Sequence, residues 1–308
     1  MNPVLTIDTN YAGMKQVASA YLLREAGRGV VVETNTTHAI PLILDQMQTH
    51  SITKTDLDFV IVTHVHLDHA GGAWALLDQC PNAILLAHPK TAKHLMDPKL
   101  LIKSATSVYG EENFANLYGE IRPIPKERIR IMEDGEWLDW QNRKFQFIYT
   151  KGHANHHFCI YEKKENIIFT GDSFGISYPH LENGSRFIFP TTTPTDFLYE
   201  EAVLSLNKIV NTGAEYAYLT HFGPVSNLPL LALGLKDGLR LCQNAIEGLK
   251  KIPNENRLGF AETQVKQMIQ TLADKNKVEL TENDWELLDL DVNLNAQGLV
   301  FAFERSQK

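Results

Sequence analysis

The chain has 308 residues, 44% of them hydrophobic, enough for one large domain or a domain with an appendage around a sizeable core. Its formal net charge of −8 argues against a general nucleic-acid-binding surface. The start, Met1-Asn2-Pro3-Val4, lacks the regions of a signal peptide, and every apolar run is too short to span a bilayer.

In chain order, Val4 to Ile7 predicts a first strand, and residues 21–23 and 29–33 a hairpin turning at Ala26-Gly27-Arg28-Gly29. Thr36-Thr37 is read as the cap of a helix with Ile40, Ile43, Leu44 and Met47 on one face. Residues 59–62 form a buried strand, 83–87 another, Pro89 to Met96 a helix, and 97–120 a less regular helical stretch. Strands follow at 129–132, 136–138, 144–149, 158–161 and 166–170, and the Gly-, Pro- and Thr-rich stretch 173–194 is a long loop of the kind that carries function. A helix at 197–210 and a strand at 216–219 precede a change of pattern after Pro224. Helices are expected at 228–249 and 262–273, a break at 253–256, a capping box from Thr281 to Asp284 opening a last helix, and an edge strand at 299–303. The domain boundaries read from this are 1–225 and a C-terminal helical extension, 226–308.

Between the strand at 59–62 and the next helix lie His64, His66, Asp68 and His69, four donor side chains in six residues. His64 and His66, two apart in extended chain, point to one side. Asp68 and His69 follow where the backbone turns, so they face a second point nearby. Imidazole and carboxylate suit zinc first, with iron or manganese as alternatives, and no cysteine takes part.

Three later residues repeat one placement. His153, Asp172 and His221 each stand just beyond an apolar strand, as His64 does, and loops on one rigid scaffold bring such positions together. A workable division gives His64, His66 and His153 to one metal and Asp68, His69 and His221 to a second, with Asp172 bridging. Each of the two divalent ions keeps an open position for water, and ions ~3.5–4 Å apart can share it and generate hydroxide near neutral pH. His156 and His157 stand beside His153 and are alternatives to it. His38, His50, His94 and His180 are read as surface or helix-end residues, and His88 as packing. Cys80, Cys159 and Cys242, odd in number and widely spaced, fit reduced, buried thiols of a cytoplasmic protein.

The order of these residues, H-x-H-x-D-H at His64–His69 and then His153, Asp172 and His221, resembles the metallo-β-lactamase-fold superfamily, in its hydroxyacylglutathione hydrolase-like and lactonase-like branches. Thr150-Lys151-Gly152-His153, Phe169-Thr170-Gly171-Asp172 and Thr220-His221-Phe222-Gly223 match the family's flanking patterns, over roughly residues 4–225. Lys151 stands where a Pro is frequent, and Glu33-Thr34-Asn35 where D-T-G follows the early strand. The resemblance implies an α/β fold, a four-layer αββα sandwich with a C-terminal helical addition. It also implies a metal-dependent hydrolase of a small ester, thioester or lactone, in which Asp68 binds metal and orients hydroxide. His157 and Tyr178 are candidate contacts to a small-molecule substrate; no nucleic-acid or membrane partner is expected. The rival readings are an iron dioxygenase acting on a persulfide, using His64, His66 and Asp172 or His153 in place of one of them, and a non-enzymatic metal- or ligand-binding protein. The C-terminal helices either only cover a flank of the sandwich or also wall the metal cleft together with the 173–194 loop.

Overall fold

The computed structural model describes residues 4–181, 186–192 and 195–307, so Met1 to Pro3 and parts of the 173–194 loop lie outside the described residues. It divides into two compact units, the first holding the chain through Tyr149 together with His156–Gly171 and Thr220–Gly223.

In this first unit β1 (Val4–Asp8), β2 (Ser19–Glu25) and β3 (Arg28–Val32) run antiparallel. The β2–β3 turn places Ala26 and Gly27 at φ 51° and 76°, the paired left-handed conformations of a tight two-residue hairpin. From β3 onward the sheet turns parallel through β4 (Leu57–Ile61), β5 (Ile84–Ala87) and β6 (Ile129–Ile131). Parallel neighbours need crossovers, and the helices supply them. They are α1 (Ile40–Thr49) after β3, α2 (Leu67–Ala70) and α3 (Ala73–Gln79) after β4, and α4 (Pro89–Met96), α5 (Lys99–Tyr109) and α6 (Glu111–Tyr118) after β5. Ile40, Ile43 and Met47 of α1 are buried at helical spacing against Val31, Val60 and Leu85 of the sheet. The expected threonine cap does not form. Thr36 gives no side-chain cap to the 3-10 turn that opens this segment, and the Thr37 hydroxyl instead donates to the Tyr118 carbonyl.

A second, antiparallel sheet in the same unit takes β7 (Trp137–Trp140), β8 (Arg143–Tyr149), β9 (Phe158–Glu162) and β10 (Ile167–Gly171). Tyr21 of β2 meets Phe169 of β10 at 5.4 Å between ring centroids, so the sheets face one another. At one edge the buried Arg143 closes the sandwich, 3.1 Å from Glu25 of β2 and 3.3 Å from Glu162 of β9.

The second unit contains α7 (Tyr199–Asn211), β11 (Tyr216–Leu219), most of β12 (Gly223–Ser226), α8 (Leu228–Gly248), α9 (Arg257–Lys275), α10 (Glu282–Leu287) and α11 (Asp289–Ser306). The capping box is present, with Thr281 Oγ1 accepting from the Asp284 backbone and Asp284 accepting from Thr281. The expected edge strand at 299–303 is wrong: these residues continue α11. Leu299 and Phe303 are buried four apart with Ala296 and Val292 behind them, while Phe301 is exposed, which is helical spacing inside a run too uniformly apolar to show it. β12 runs through Gly223 and Pro224, residues that do not advertise a strand. Among the described residues no helix is long and apolar enough to cross a membrane.

Two outcomes test this packing. Arg143→Ala leaves the fully buried Glu162 carboxylate without its guanidinium, so urea unfolding should show a loss of about 3–5 kcal/mol, the cost of breaking a buried ion pair from one side. All three cysteines are buried and none is in a disulfide, and burial pushes the Cys80 thiol up to about 11 and the Cys242 thiol to about 12. A chromogenic disulfide reagent should therefore label none of them in the folded protein at neutral pH and all of them after denaturation.

Candidate metal centre

The site grows from the carboxyl ends of the parallel strands. β3 and β4 run the same way, so Glu33 beyond one and Thr63-His64 beyond the other emerge at the same edge, where open α/β sheets bind ligands. Glu33 and Asn35 take positive φ values, 65° and 52°, and turn the chain so that its polar groups reach the next loop. The backbone N–H and the hydroxyl of Thr34 both donate to the His69 carbonyl at 2.9 Å. The Asn35 amide donates to the Asp68 carbonyl at 2.8 Å, and Gly72 donates its N–H to the Asn35 carbonyl at 2.7 Å. Two glycines follow the histidines because neither position has room for a side chain. A Cβ on Gly71 would lie 2.4 Å from the Leu67 carbonyl oxygen, and one on Gly72 would lie 2.7 Å from that of Thr36.

Within the first unit the fold gathers His64, His66, Asp68, His69 and His221. His64 lies 4.4 Å from His66 and 4.0 Å from His69 between ring centroids. Ligating atoms of Asp68, His69 and His221 all fall within 4.8 Å of one another. His221 is delivered from the other end of the sequence because Ser19, at the start of β2, donates its N–H to the Thr220 carbonyl at 2.8 Å, and the Tyr21 hydroxyl accepts from the Gly223 N–H at 3.1 Å.

The hydrogen bonds on the far side of each ring determine what the near side offers. His221 Nδ1 sits 2.9 Å from the Val17 carbonyl, which can only accept, so Nδ1 carries the proton and Nε2 the lone pair. That Nε2 faces Asp68 Oδ2 at 3.3 Å. His69 Nδ1 sits 3.3 Å from the Glu33 carboxylate, which fixes the same tautomer and turns Nε2 toward the same Asp68 oxygen at 3.7 Å. Glu33 also accepts the Thr63 hydroxyl, and the Thr63 oxygen in turn lies 3.1 Å from His64 Nδ1. Two imidazole lone pairs and a carboxylate oxygen thus converge on one point, a mutual repulsion that a cation between them relieves. The donor set fits a divalent metal ion, with the remote nitrogens held by a carboxylate and a carbonyl as ligating histidines require.

The second unit carries the remaining pair. His153 Nε2 is 3.5 Å from Asp172 Oδ2, and both residues are buried. They line a small cavity with Lys151 and Thr191, and with Leu235 and Leu239 of α8. Side chains of the C-terminal helices therefore border the cavity to which two of the expected ligands belong.

The other candidates have definite places. His157 is fully buried, 4.9 Å from His64, beside Gly171, whose missing side chain makes room for it. His156 is partly exposed; its Nδ1 accepts from the Val65 N–H at 3.4 Å and its ring stacks on His64 at 5.9 Å. Tyr178 is buried and donates its hydroxyl to Asp291 at 3.2 Å. His88 is buried against Tyr149 and caps α4, accepting from the Lys90 N–H at 3.1 Å, as its packing role predicts. His38 and His180 are exposed, and His50 and His94 stand at helix ends. The sequence reading treats Glu33 only as a departure from a motif. Its place just beyond a buried strand, the same placement that marks the ligands, is the signal that identifies it. The Val17 carbonyl has no signal in sequence at all.

The model of the metallo-beta-lactamase superfamily matches residues 15–221, more than half of the chain. The chain belongs to this superfamily. A metallo-beta-lactamase fold-containing protein of Sulfurisphaera tokodaii is 30% identical over 174 residues, 55% of this chain and 62% of that protein. An atrochrysone carboxyl ACP thioesterase of Aspergillus fumigatus is 26% identical over 57% of this chain and 41% of its own length. A hydroxyacylglutathione hydrolase of Aeromonas hydrophila is 26% identical over 38% and 33%. The chain thus spans less than two thirds of each of these relatives. Among solved structures, an archaeal metallo-beta-lactamase superfamily protein from Sulfolobus tokodaii superposes with a TM-score of 0.66 at 23% identity, over 97% of this chain and 99% of that one. A metallo-beta-lactamase family protein from Thermus thermophilus gives 0.68 at 17% identity, over 100% and 95%. The expected fold holds: an αββα metallo-beta-lactamase sandwich with C-terminal helices.

Glu33→Gln tests the geometry of the centre. It keeps the volume but cannot hold the His69 proton as a carboxylate does, so zinc affinity in a chelator competition should fall about 10–100-fold while the circular dichroism spectrum is unchanged.

Proposed function

We propose that the protein is a metal-dependent hydrolase of a small ester, thioester or lactone. The observation that carries this reading is the convergence of His69, His221 and Asp68, with the remote nitrogens of both rings pinned by Glu33 and Val17. Asp68, His69 and His221 would hold one divalent ion, with His64, His66 and His153 as the ligands proposed for a second, Asp172 shared between them, and zinc as the metal that suits this donor set. When bound, a divalent ion supplies Lewis-acid polarisation of a carbonyl and acidifies water. The protein's own groups do the rest. Glu33 and Val17 keep both rings in the tautomer that presents Nε2. The Asp68 side chain is 23% exposed against 0% for His69 and 6% for His221, so it is the member of this trio that reaches solvent and can orient an incoming water and accept its proton. The thioesterase and hydroxyacylglutathione hydrolase relatives support a carbonyl substrate in which oxygen or sulfur leaves.

The test is a panel of aryl esters, acylated thiols and lactones, run with zinc-loaded and chelated protein beside an oxygen electrode and a persulfide. Turnover of at least one carbonyl substrate that stops with chelator and uses no oxygen is expected. Iron-dependent oxygen uptake with the persulfide would overturn the assignment. Asp68→Asn should reduce kcat about 100-fold or more, the scale of a lost proton acceptor, in protein that still unfolds at the wild-type midpoint.

A further inference from the structure

The cavity beside His153 and Asp172 lies wholly within the second unit and contains a feature that the ligand set does not use. Thr191 is 4% exposed, and its hydroxyl finds no hydrogen-bond partner among the described residues. Its position is not loose. The next residue, Thr192, is clamped to Asn295 of α11: its N–H donates to the side-chain oxygen, and its hydroxyl proton is shared between that oxygen at 3.0 Å and the main-chain carbonyl at 3.1 Å. Two residues back, Phe189 exchanges backbone hydrogen bonds with Ile176 at 2.8 and 3.0 Å. A threonine held this firmly with a buried, unbonded hydroxyl carries the desolvation cost of that group unless something small bonds to it.

The cavity has the size and chemistry for that partner. It leaves about 20 Å³ in which the centre of a water molecule can sit, above the roughly 10–15 Å³ needed for one water and too little for an organic ligand. Its polar lining residues are Lys151, His153, Asp172, Ser173, Thr191 and Ser205. The two serine protons are already directed elsewhere, to the Thr150 carbonyl at 3.2 Å and the Lys151 carbonyl at 2.6 Å, so each hydroxyl oxygen has only acceptor capacity left. Leu206, Leu235 and Leu239 add hydrocarbon to the lining.

We propose that this cavity binds one ordered water, which accepts the Thr191 proton, donates to the Asp172 carboxylate, and thereby makes Thr191 a positioning residue for Asp172. The water stands on the cavity alone; its consequence for metal binding rests on the reading of Asp172 as a ligand. The bridge is a water-mediated outer contact of the kind that fixes the orientation of ligating carboxylates.

Thr191→Val, nearly isosteric, and Thr191→Ser, which keeps the hydroxyl, test it in the full chain. Wild type and Thr191→Ser should show ordered density in the cavity of a high-resolution crystal structure, and Thr191→Val none. The thermal midpoint has a diagnostic sign. If water bonds the hydroxyl, Thr191→Val loses that bond and the midpoint falls. If the cavity is dry, the substitution removes an unsatisfied buried hydroxyl, the midpoint rises, and the proposal is overturned. In a zinc competition against a chromogenic chelator, Thr191→Val should bind about tenfold more weakly, the low end for an outer contact. Loss of the water with unchanged zinc affinity would overturn the positioning role. Asp172→Ala serves as the reference: if it leaves zinc affinity unchanged, the ligand reading of Asp172 fails, while the water is still judged by density and midpoint.

Discussion

The buried carboxylate of Glu33 is the constraint on which the centre depends. A carboxylate withdrawn from water must be paid for with hydrogen bonds, and Glu33 takes them from Thr63 and His69 on one loop and from Thr220, some 150 residues further along. Its Oε1 therefore serves as a junction for the loop after β4, the loop before β12 and the turn after its own strand. The polar need of one buried group thus becomes the mutual placement of His64, His69 and the segment bearing His221. The His69 tautomer follows from it, since that ring must donate on its far side and so presents a lone pair on its near side.

The scaffold makes such a junction possible. A sheet whose strands turn parallel from β3 onward delivers successive loops to one edge, and those loops carry Glu33 and the His64–His69 stretch. The antiparallel strand β2 anchors the Thr220–Gly223 segment through Ser19 and Tyr21, bringing in a histidine from some 150 residues further along. At a different place in the same unit, Arg143 collects Glu25, Glu162 and Glu165, a second buried ionic cluster that ties the sheets together. Both clusters use the same physics, a buried charge that gathers partners from several segments, but one holds architecture and the other orients donors.

In the second unit the helices do more than add mass. α8 contributes Leu235 and Leu239, and α7 contributes Ala202 and Leu206, to the cavity that His153 and Asp172 line. Gly152, at φ 117°, leaves no room for a side chain, because a Cβ there would lie 2.2 Å from the Ala202 backbone nitrogen. The glycine before His153 is thus a packing requirement against α7, and the helical part constrains where that imidazole sits. Hydrocarbon walls around a carboxylate and an imidazole lower the local dielectric and so strengthen their interaction with any cation.

Much of this was legible in the residues themselves. Strands announce themselves by β-branched runs, and the placement of His64, His153, Asp172 and His221 just past such runs is a local property, visible without coordinates. The same local logic named the helices at 228–249 and 262–273 and the capping box at Thr281, because apolar spacing and cap chemistry act over a few residues. It failed where an apolar run is too uniform to reveal a period, at Leu299 to Phe303, and where Gly223 and Pro224 masked a strand that its neighbours stabilise. Only the tertiary structure decided how Glu33 is used, which nitrogen of each histidine faces inward, and that the Val17 carbonyl holds His221. Those depend on hydrogen bonds between segments distant in sequence, and a main-chain carbonyl is present at every residue, so no pattern of side chains can single one out.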